Sequence, residues 1–268
     1  MNPFENKVIV VTGGSDGIGK ELVESFLQMG AKVATCGRNY DKLYPLQSAY
    51  SGKPLMIYAA DISKEQEANN FIDSVIKTFG TIDILINNAG ISMRATVEDV
   101  SLDALRKVMD INFWGTVYCT KFSLPYIIEN KGTIVGVSSI AGYRGLPGRS
   151  GYSASKFAVN GWLEALRTEL LDSGTNVMWV CPGFTASNIR NAALNNKGES
   201  FGETSMDEGK MMSASECAVH IIKAIEKRKR TLVLTFTGKR AVFMNKYFPK
   251  LADRLTRNFF YKDGKLAK

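Results

Sequence analysis

Tyr152 and Lys156 stand four residues apart in Tyr152-Ser153-Ala154-Ser155-Lys156, a spacing that puts a phenol and an ammonium on one face of a helix. A cation beside a phenol stabilises the phenolate and draws the tyrosine towards general acid/base work. A lone pair of this kind is equally what a surface tyrosine and a solvated lysine look like, so its weight depends on company. Ser139 precedes Tyr152 by thirteen residues, just past the apolar run 133–138. Near the start of the chain, Thr12-Gly13-Gly14-Ser15-Asp16-Gly17-Ile18-Gly19 follows the apolar run 7–11. Glycines there permit a tight turn and close approach of backbone to a pyrophosphate, and the N-terminus of a following helix offers free N–H groups to the anion. The spacing departs from G-x-G-x-x-G. Three further polar clusters follow apolar runs or sit on a helix: Asn87-Asn88-Ala89-Gly90, Asn112 in Asn112-Phe113-Trp114-Gly115, and Pro182-Gly183-Phe184-Thr185.

Something must bring these groups together, and the hydrophobic pattern says what. Apolar runs rich in valine and isoleucine at 7–11, 31–36, 54–60, 82–87, 133–138, 176–181 and 231–236 read as seven strands. Their near-continuous apolar character implies burial on both faces, as in a parallel sheet. Segments of helical periodicity at 18–29, 40–50, 64–79, 101–129, 153–172 and 214–228 fill the gaps. The alternation defines an α/β chain, a doubly wound, Rossmann-type seven-stranded parallel sheet with helices on both faces, which binds ligands at the carboxyl ends of its strands. Every cluster named above falls at such an end or beside one. No linker splits the chain: residues 1–238 form the catalytic domain and 239–268 a basic, amphipathic extension of it.

With these motifs in place, the chain resembles the short-chain dehydrogenase/reductase family over about residues 5–235, its glycine loop matching the family's T-G-x-x-x-G-x-G. The resemblance implies that Tyr152 is the proton donor for carbonyl reduction. Lys156 would bind the nicotinamide ribose hydroxyls and lower the Tyr152 pKa, and Ser139, rather than Ser138, would hydrogen-bond the substrate oxygen. Asn112 would hold a water that links Lys156 to solvent. Gly13, Ser15, Asp16, Gly17, Ile18 and Gly19 would form the cofactor loop, and Asp61 and Ile62 would meet the adenine. Asn88, Ala89 and Gly90 would line the cleft, with Pro182, Gly183 and Thr185 at the carboxamide or phosphate side. A dimer or tetramer is implied as well.

Charge selects the cofactor. The second run ends Cys36-Gly37-Arg38-Asn39, with no acid until Asp41; a guanidinium there attracts a 2′-phosphate that a carboxylate would repel. Arg38 and Asn39 therefore point to NADP(H). Asp16 adds an opposing charge to the loop unless it caps the following helix.

Composition narrows the remaining possibilities. The 268 residues are 45% hydrophobic and 22% charged, the balance of a folded globular chain. Cys36, Cys119, Cys181 and Cys217 form no C-x-x-C pair, and His220, the one histidine, reads as an ordinary helix residue, so no metal site is expected. No signal segment or apolar span of bilayer length is present, which favours reduced, buried thiols in the cytoplasm. The formal charge of +8 is uneven: residues 221–268 carry 14 Lys/Arg against three acids, a net of +11, and the first 220 residues carry −3. Residues 239–261 interleave aromatic and basic side chains at helical spacing, interrupted at Pro249. This pattern suits an anionic membrane surface, and equally a tail packed on its own domain or on a second subunit. No nucleic-acid motif accompanies the charge. Met206, Met211 and Met212 fall in the segment 186–212, where an adaptable apolar lid or an ordinary surface loop fits. The expected function is interconversion of a ketone and a secondary alcohol, on a hydrophobic substrate of steroid-like, long-chain or keto-lipid type. The competing expectation is a catalytically silent NADP(H)-binding regulator or scaffold.

Overall fold

A computed structural model describes residues 2–185, 188–202 and 211–267. The seven apolar runs form β1 (Val8–Thr12), β2 (Lys32–Gly37), β3 (Leu55–Ala59), β4 (Ile84–Asn87), β5 (Thr133–Val137), β6 (Asn176–Cys181) and β7 (Thr231–Val233). All pair in parallel in the order β3-β2-β1-β4-β5-β6-β7. The direction of winding reverses between β1 and β4, and a crevice opens there at the carboxyl ends.

Helices α1 (Gly17–Gln28), α2 (Tyr40–Ala49), α3 (Glu65–Phe79), α4 (Leu102–Met109), α5 (Gly115–Glu129), α6 (Ser150–Glu169) and α7 (Ala214–Glu226) cover the sheet. The two-residue period of β1 divides the core. Ile9 and Val11 face Leu22 and Phe26 of α1 and Ile221 of α7, while Val8 and Val10 face Phe71 of α3, Cys119 of α5 and Leu163 of α6. Phe26 and Phe71 are fully buried, and each contributes about 1.5–3 kcal/mol of burial. All four cysteines are buried and unbonded.

The stretch 101–129 differs from the single helix its periodicity predicts. Between α4 and α5 lies a π-helical turn, Asp110–Trp114, centred on Asn112. Apolar spacing hardly changes across one wide turn, so the sequence pattern does not register it, although such turns recur at functional sites. The last strand is also shorter than expected. It ends at Val233 because Thr235 turns the backbone to φ +62 and its hydroxyl accepts from Gly238 N at 3.0 Å, starting a new helix.

That helix is α8 (Phe236–Tyr247), and Pro249 divides it from α9 (Pro249–Phe260), where a missing N–H is harmless in the first turn. A hairpin of β8 (Tyr261–Lys262) and β9 (Lys265–Leu266) follows. The tail docks on its own domain. Arg144 donates to Asn245 Oδ1 at 2.8 Å and pairs with Asp253 at 2.6 Å, and Asn245 donates back to the Tyr143 carbonyl at 2.8 Å. Phe243, Tyr247, Phe248, Leu251 and Leu255 nevertheless remain exposed on the other side.

Candidate active site

The glycine loop leaves β1 with Gly13 at φ +73, where a side chain would strike the Ala89 backbone, its Cβ 2.9 Å from Ala89 Cα. Gly17 also has positive φ, +52. Asp16 spends its carboxylate as the cap of α1, accepting from Gly17 N at 2.7 Å. Thr12, which opens the motif, and Thr35, which no motif marks, hold the loop to the sheet. Thr12 Oγ1 accepts from Asn88 N and Ala89 N, both at 3.0 Å, and Thr35 Oγ1 accepts from Gly14 N at 3.0 Å. Asn88 returns its amide to the carbonyls of Thr12 and Gly13, at 3.0 and 3.2 Å. The loop is thus braced from two strands.

From this loop a cleft of about 620 Å³ runs to the start of α6. Gly13, Ser15, Asp16, Gly17, Ile18, Arg38, Asp61 and Ile62 line one end, with Lys42 beside them. Asn88, Ala89 and Gly90 line the middle, and Ser139, Tyr152, Lys156, Pro182, Gly183 and Thr185 the other end. Gly19, Asn39 and Asn112 do not line it. Gly19 packs beneath the loop against the Gly13 carbonyl, and Asn39 caps α2 by accepting from Asp41 N at 2.8 Å. A polar residue after a strand suits a ligand or a helix cap equally, and here the cap takes the side chain. Asn112 is wholly buried: it accepts from Ile91 N at 2.8 Å and donates to Ile91 O and Ser155 Oγ, both at 2.9 Å. Its amide straps the loop after β4 to α6, and its Oδ1 and Lys156 Nζ stand 3.1 and 3.4 Å from where a Cβ on Gly90 would lie.

Tyr152 lies on the first turn of α6 and Lys156 one turn on. The Tyr152 hydroxyl is hydrogen-bonded to Ser139, whose own Oγ also accepts from Ala141 N at 3.1 Å. Ser138 instead turns to the Lys156 carbonyl, at 3.4 Å. Lys156 Nζ donates to Val137 O at 2.8 Å and stands 5.7 Å from the Tyr152 ring centroid. Burial raises the Tyr152 phenol above its ordinary value; the Ser139 hydrogen bond and then the Arg149 guanidinium pull the other way. Arg149, a residue the motif does not mark, thus joins Lys156 as a cation beside Tyr152. Burial brings Lys156 down from 10.5 to about 8.

The remaining lining was not legible as a motif. Arg149, Asn188 and Arg190 join the Tyr152 end, and Phe184 stands at the mouth, 40% exposed and stacked on Phe259 of α9 at 6.0 Å. Of the three methionines read as a lid, Met206 lies outside the described residues. Met212 packs against the core beside α7 and bridges to Thr185. His220 sits on α7, 4.0 Å from Glu216 and away from the cleft.

A parallel sheet wound in this order, with a glycine loop, a Tyr-Lys pair and a serine at one crevice, defines a dinucleotide-dependent class of α/β protein, and comparison with known proteins agrees. The family model described as short chain dehydrogenase matches residues 7–198. Mouse "Dehydrogenase/reductase SDR family member 7B" is 35% identical, covering 98% of this chain and 84% of the relative. The Dictyostelium discoideum "Dehydrogenase/reductase SDR family protein 7-like" is 30% identical, covering 96% and 82%. Among solved structures, a short-chain dehydrogenase from Streptomyces avermitilis superposes with a TM-score of 0.81 at 26% identity, over 94% of this chain and 96% of that one. A Burkholderia phymatum protein in complex with NAD gives 0.83 at 21% identity, over 94% and 96%, a likeness of fold. The chain belongs to the short-chain dehydrogenase/reductase family, and so to a family of oxidoreductases that use nicotinamide cofactors.

Proposed function

We propose that the protein is an NADP(H)-dependent enzyme that interconverts a ketone and a secondary alcohol on a hydrophobic substrate. The observation that carries this reading is the meeting of Ser139, Tyr152 and Lys156 at one end of a single cleft whose far end holds the glycine loop. The cleft fits a nicotinamide dinucleotide: a braced glycine loop leads into the N-terminus of α1, and Asn88–Gly90 and Pro182–Thr185 form opposite walls. Arg38 and Lys42 stand at the adenosine end, where two cations favour a 2′-phosphate. Asp16, engaged as a cap, is no obstacle.

When bound, the cofactor supplies or takes up the hydride. Ser139 holds the substrate oxygen, and Tyr152 gives it a proton in reduction or removes one in oxidation. Lys156 binds the ribose hydroxyls and returns a proton to Tyr152. Asn112 holds a water that links Lys156 to solvent, and its amide also positions the loop after β4 against α6 through Ile91 and Ser155. The apolar mouth formed by Phe184 and Phe259 favours a steroid-like, long-chain or keto-lipid body.

The exposed apolar face of α8 and α9, with Lys246, Lys250 and Arg254 nearby, suits peripheral attachment to an anionic membrane. No described helix is long and apolar enough to cross one. Exposed Trp114 and Phe157 favour a homo-oligomer. Residues 239–268 act as an extension of the catalytic domain. The test is oxidation of NADPH, against NADH, over a panel of lipophilic ketones, followed by absorbance. No turnover of any ketone, with tight NADPH binding, would favour a regulatory role instead.

A further inference from the structure

We propose that the substrate is a lipid-soluble ketone taken directly from an anionic leaflet: an apolar stripe along α9 seats in the leaflet and ends at the mouth of the cleft, which opens onto the acyl chains. This route presupposes the ketone-reducing cleft and the membrane attachment proposed above, and it names where the substrate comes from.

The stripe is continuous. Phe248, Leu251, Leu255 and Phe259 follow one another at three- and four-residue spacing, which aligns them on one face of α9 and its N-cap, and all four are between 41% and 51% exposed. Ala252 and Phe260 are buried and take the docking side of the same helix. From Phe248 to Phe259 the stripe is about 17 Å long. At its far end Phe259 stacks on Phe184, ring centroids 6.0 Å apart and planes at 24°, and Phe184 lines the cleft. The start of α8 meets the same wall. Thr235 lies so close to Gly183, another lining residue, that a Cβ there would come 2.6 Å from its hydroxyl oxygen. The next residue, Phe236, is 81% exposed. Exposed aromatic rings from both tail helices therefore flank the mouth.

Charge decides what the stripe faces. Helices α8 and α9 carry Lys239, Arg240, Lys246, Lys250, Arg254 and Arg257, all exposed, against one acid, Asp253, which is paired with Arg144. Six charges against one leave a net of +5. A second copy docked through this face by a two-fold axis would set like charge against like. An anionic leaflet instead offers the opposite charge to the basic residues and takes aromatic and leucine side chains into its headgroup and acyl boundary, to a depth of about 5–10 Å. Seated to that depth, the stripe brings Phe184 and the mouth to the level of the upper acyl chains. A long-chain ketone then passes into the cleft without exposing its apolar body to water.

The test presents a long-chain methyl ketone, with NADPH, in vesicles of phosphatidylcholine alone or of phosphatidylcholine with phosphatidylserine, and beside it a short-chain, water-soluble homologue without vesicles. An enzyme that takes its ketone from water slows with either vesicle, because both sequester the substrate. One that takes it from an anionic leaflet speeds up with phosphatidylserine. The long-chain kcat/KM should be roughly tenfold or more higher in the anionic vesicles than in the neutral ones, the worth of two basic residues at such a surface, and the gain should fade at high salt. Leu251→Glu with Leu255→Glu, on the exposed stripe, should remove the gain and leave the short-chain rate as in wild type, which also shows that the variant is folded. Slowing by both vesicles overturns the proposal; if the protein still sediments with anionic vesicles, attachment stands without delivery. A gain that survives the double variant, or a dimer that the double variant dissociates, overturns it as well. Should wild type reduce neither ketone, the reductase reading falls, and the added tryptophan emission of Leu255→Trp in vesicles with brominated acyl chains decides the surface. Quenching beyond that of wild type keeps the stripe in the leaflet, and its absence removes it.

Discussion

Replacing Lys156 with methionine should make the cofactor-free protein more stable while destroying its activity. Lys156 is 4% exposed, and burial takes it from 10.5 to about 8. With a folded-state pKa below the unfolded one, the native chain binds fewer protons between those values. The residue therefore costs stability in full below about pH 8, and the cost fades as pH rises towards 10.5. At about 1.4 kcal/mol per unit, the cost near neutral pH is about 3 kcal/mol. Methionine keeps the aliphatic stem, one atom short of the ammonium, without its charge, but the Val137 carbonyl loses the donor now 2.8 Å away, which returns about 1 kcal/mol. The net gain of about 2 kcal/mol raises Tm by about 4 °C in a chain of this size. By about pH 10 the cost has dropped to about 1 kcal/mol, and gain and loss cancel. Scanning calorimetry of both proteins at the two pH values, with NADPH turnover measured alongside, is the assay. A variant that melts below wild type at neutral pH, or whose advantage is the same at both pH values, would refute the reasoning.

Tyr152→Phe should retain NADPH binding and lose about 10²–10⁴-fold in turnover, because only the proton donor is removed; near-wild-type kcat would sink the assignment. Arg38→Asp should shift kcat/KM from NADPH towards NADH by roughly tenfold, the low end for a charge-assisted contact because Arg38 is exposed and screened. An unchanged cofactor ratio means that Lys42 or another group reads the phosphate. Wild type should sediment with anionic liposomes at low salt and partly detach as salt rises, since each basic residue near the surface contributes about 1 kcal/mol. The paired change Phe243→Glu with Leu251→Glu, on the exposed face, should abolish attachment; a dimer-to-monomer shift instead would assign that face to a second subunit.

The sheet was legible because buried parallel strands leave an unmistakable mark: Ile9, Val10 and Val11 are all fully buried, so no polar residue interrupts the run. Tyr152, Lys156 and Ser139 were legible because one turn of helix and one strand end fix their spacing locally. What depends on distant partners was not. The π-turn at Asn112 shows itself only through its hold on Ile91 and Ser155, and Arg149 is isolated in sequence and meets Tyr152 only in the folded chain. Asn39 was ambiguous for a different reason, since ligand and cap call for the same residue type after a strand, and its side chain caps α2. The tail's amphipathic pattern predicted its two helices and the break at Pro249; its docking required Arg144 to find Asn245 and Asp253.

One helix accounts for most of the rigidity of the site. On α6, Val159 and Leu163 pack in the core against the sheet, Asn160 donates to Gly142 O at 2.9 Å, and Ser155 receives the Asn112 amide. These contacts lie on the buried side of the same turns that present Tyr152 and Lys156, so the two side chains inherit the stiffness of the core. The glycine-loop end is equally braced through Thr12, Thr35 and Asn88. The opposite wall differs in kind: Phe184 is half exposed and leans on Phe259, a ring of the tail that is itself exposed. Local opening costs least where few buried apolar contacts must be broken. On the function proposed above, changes on the Phe184–α9 side should therefore alter which substrate is accepted before they alter turnover.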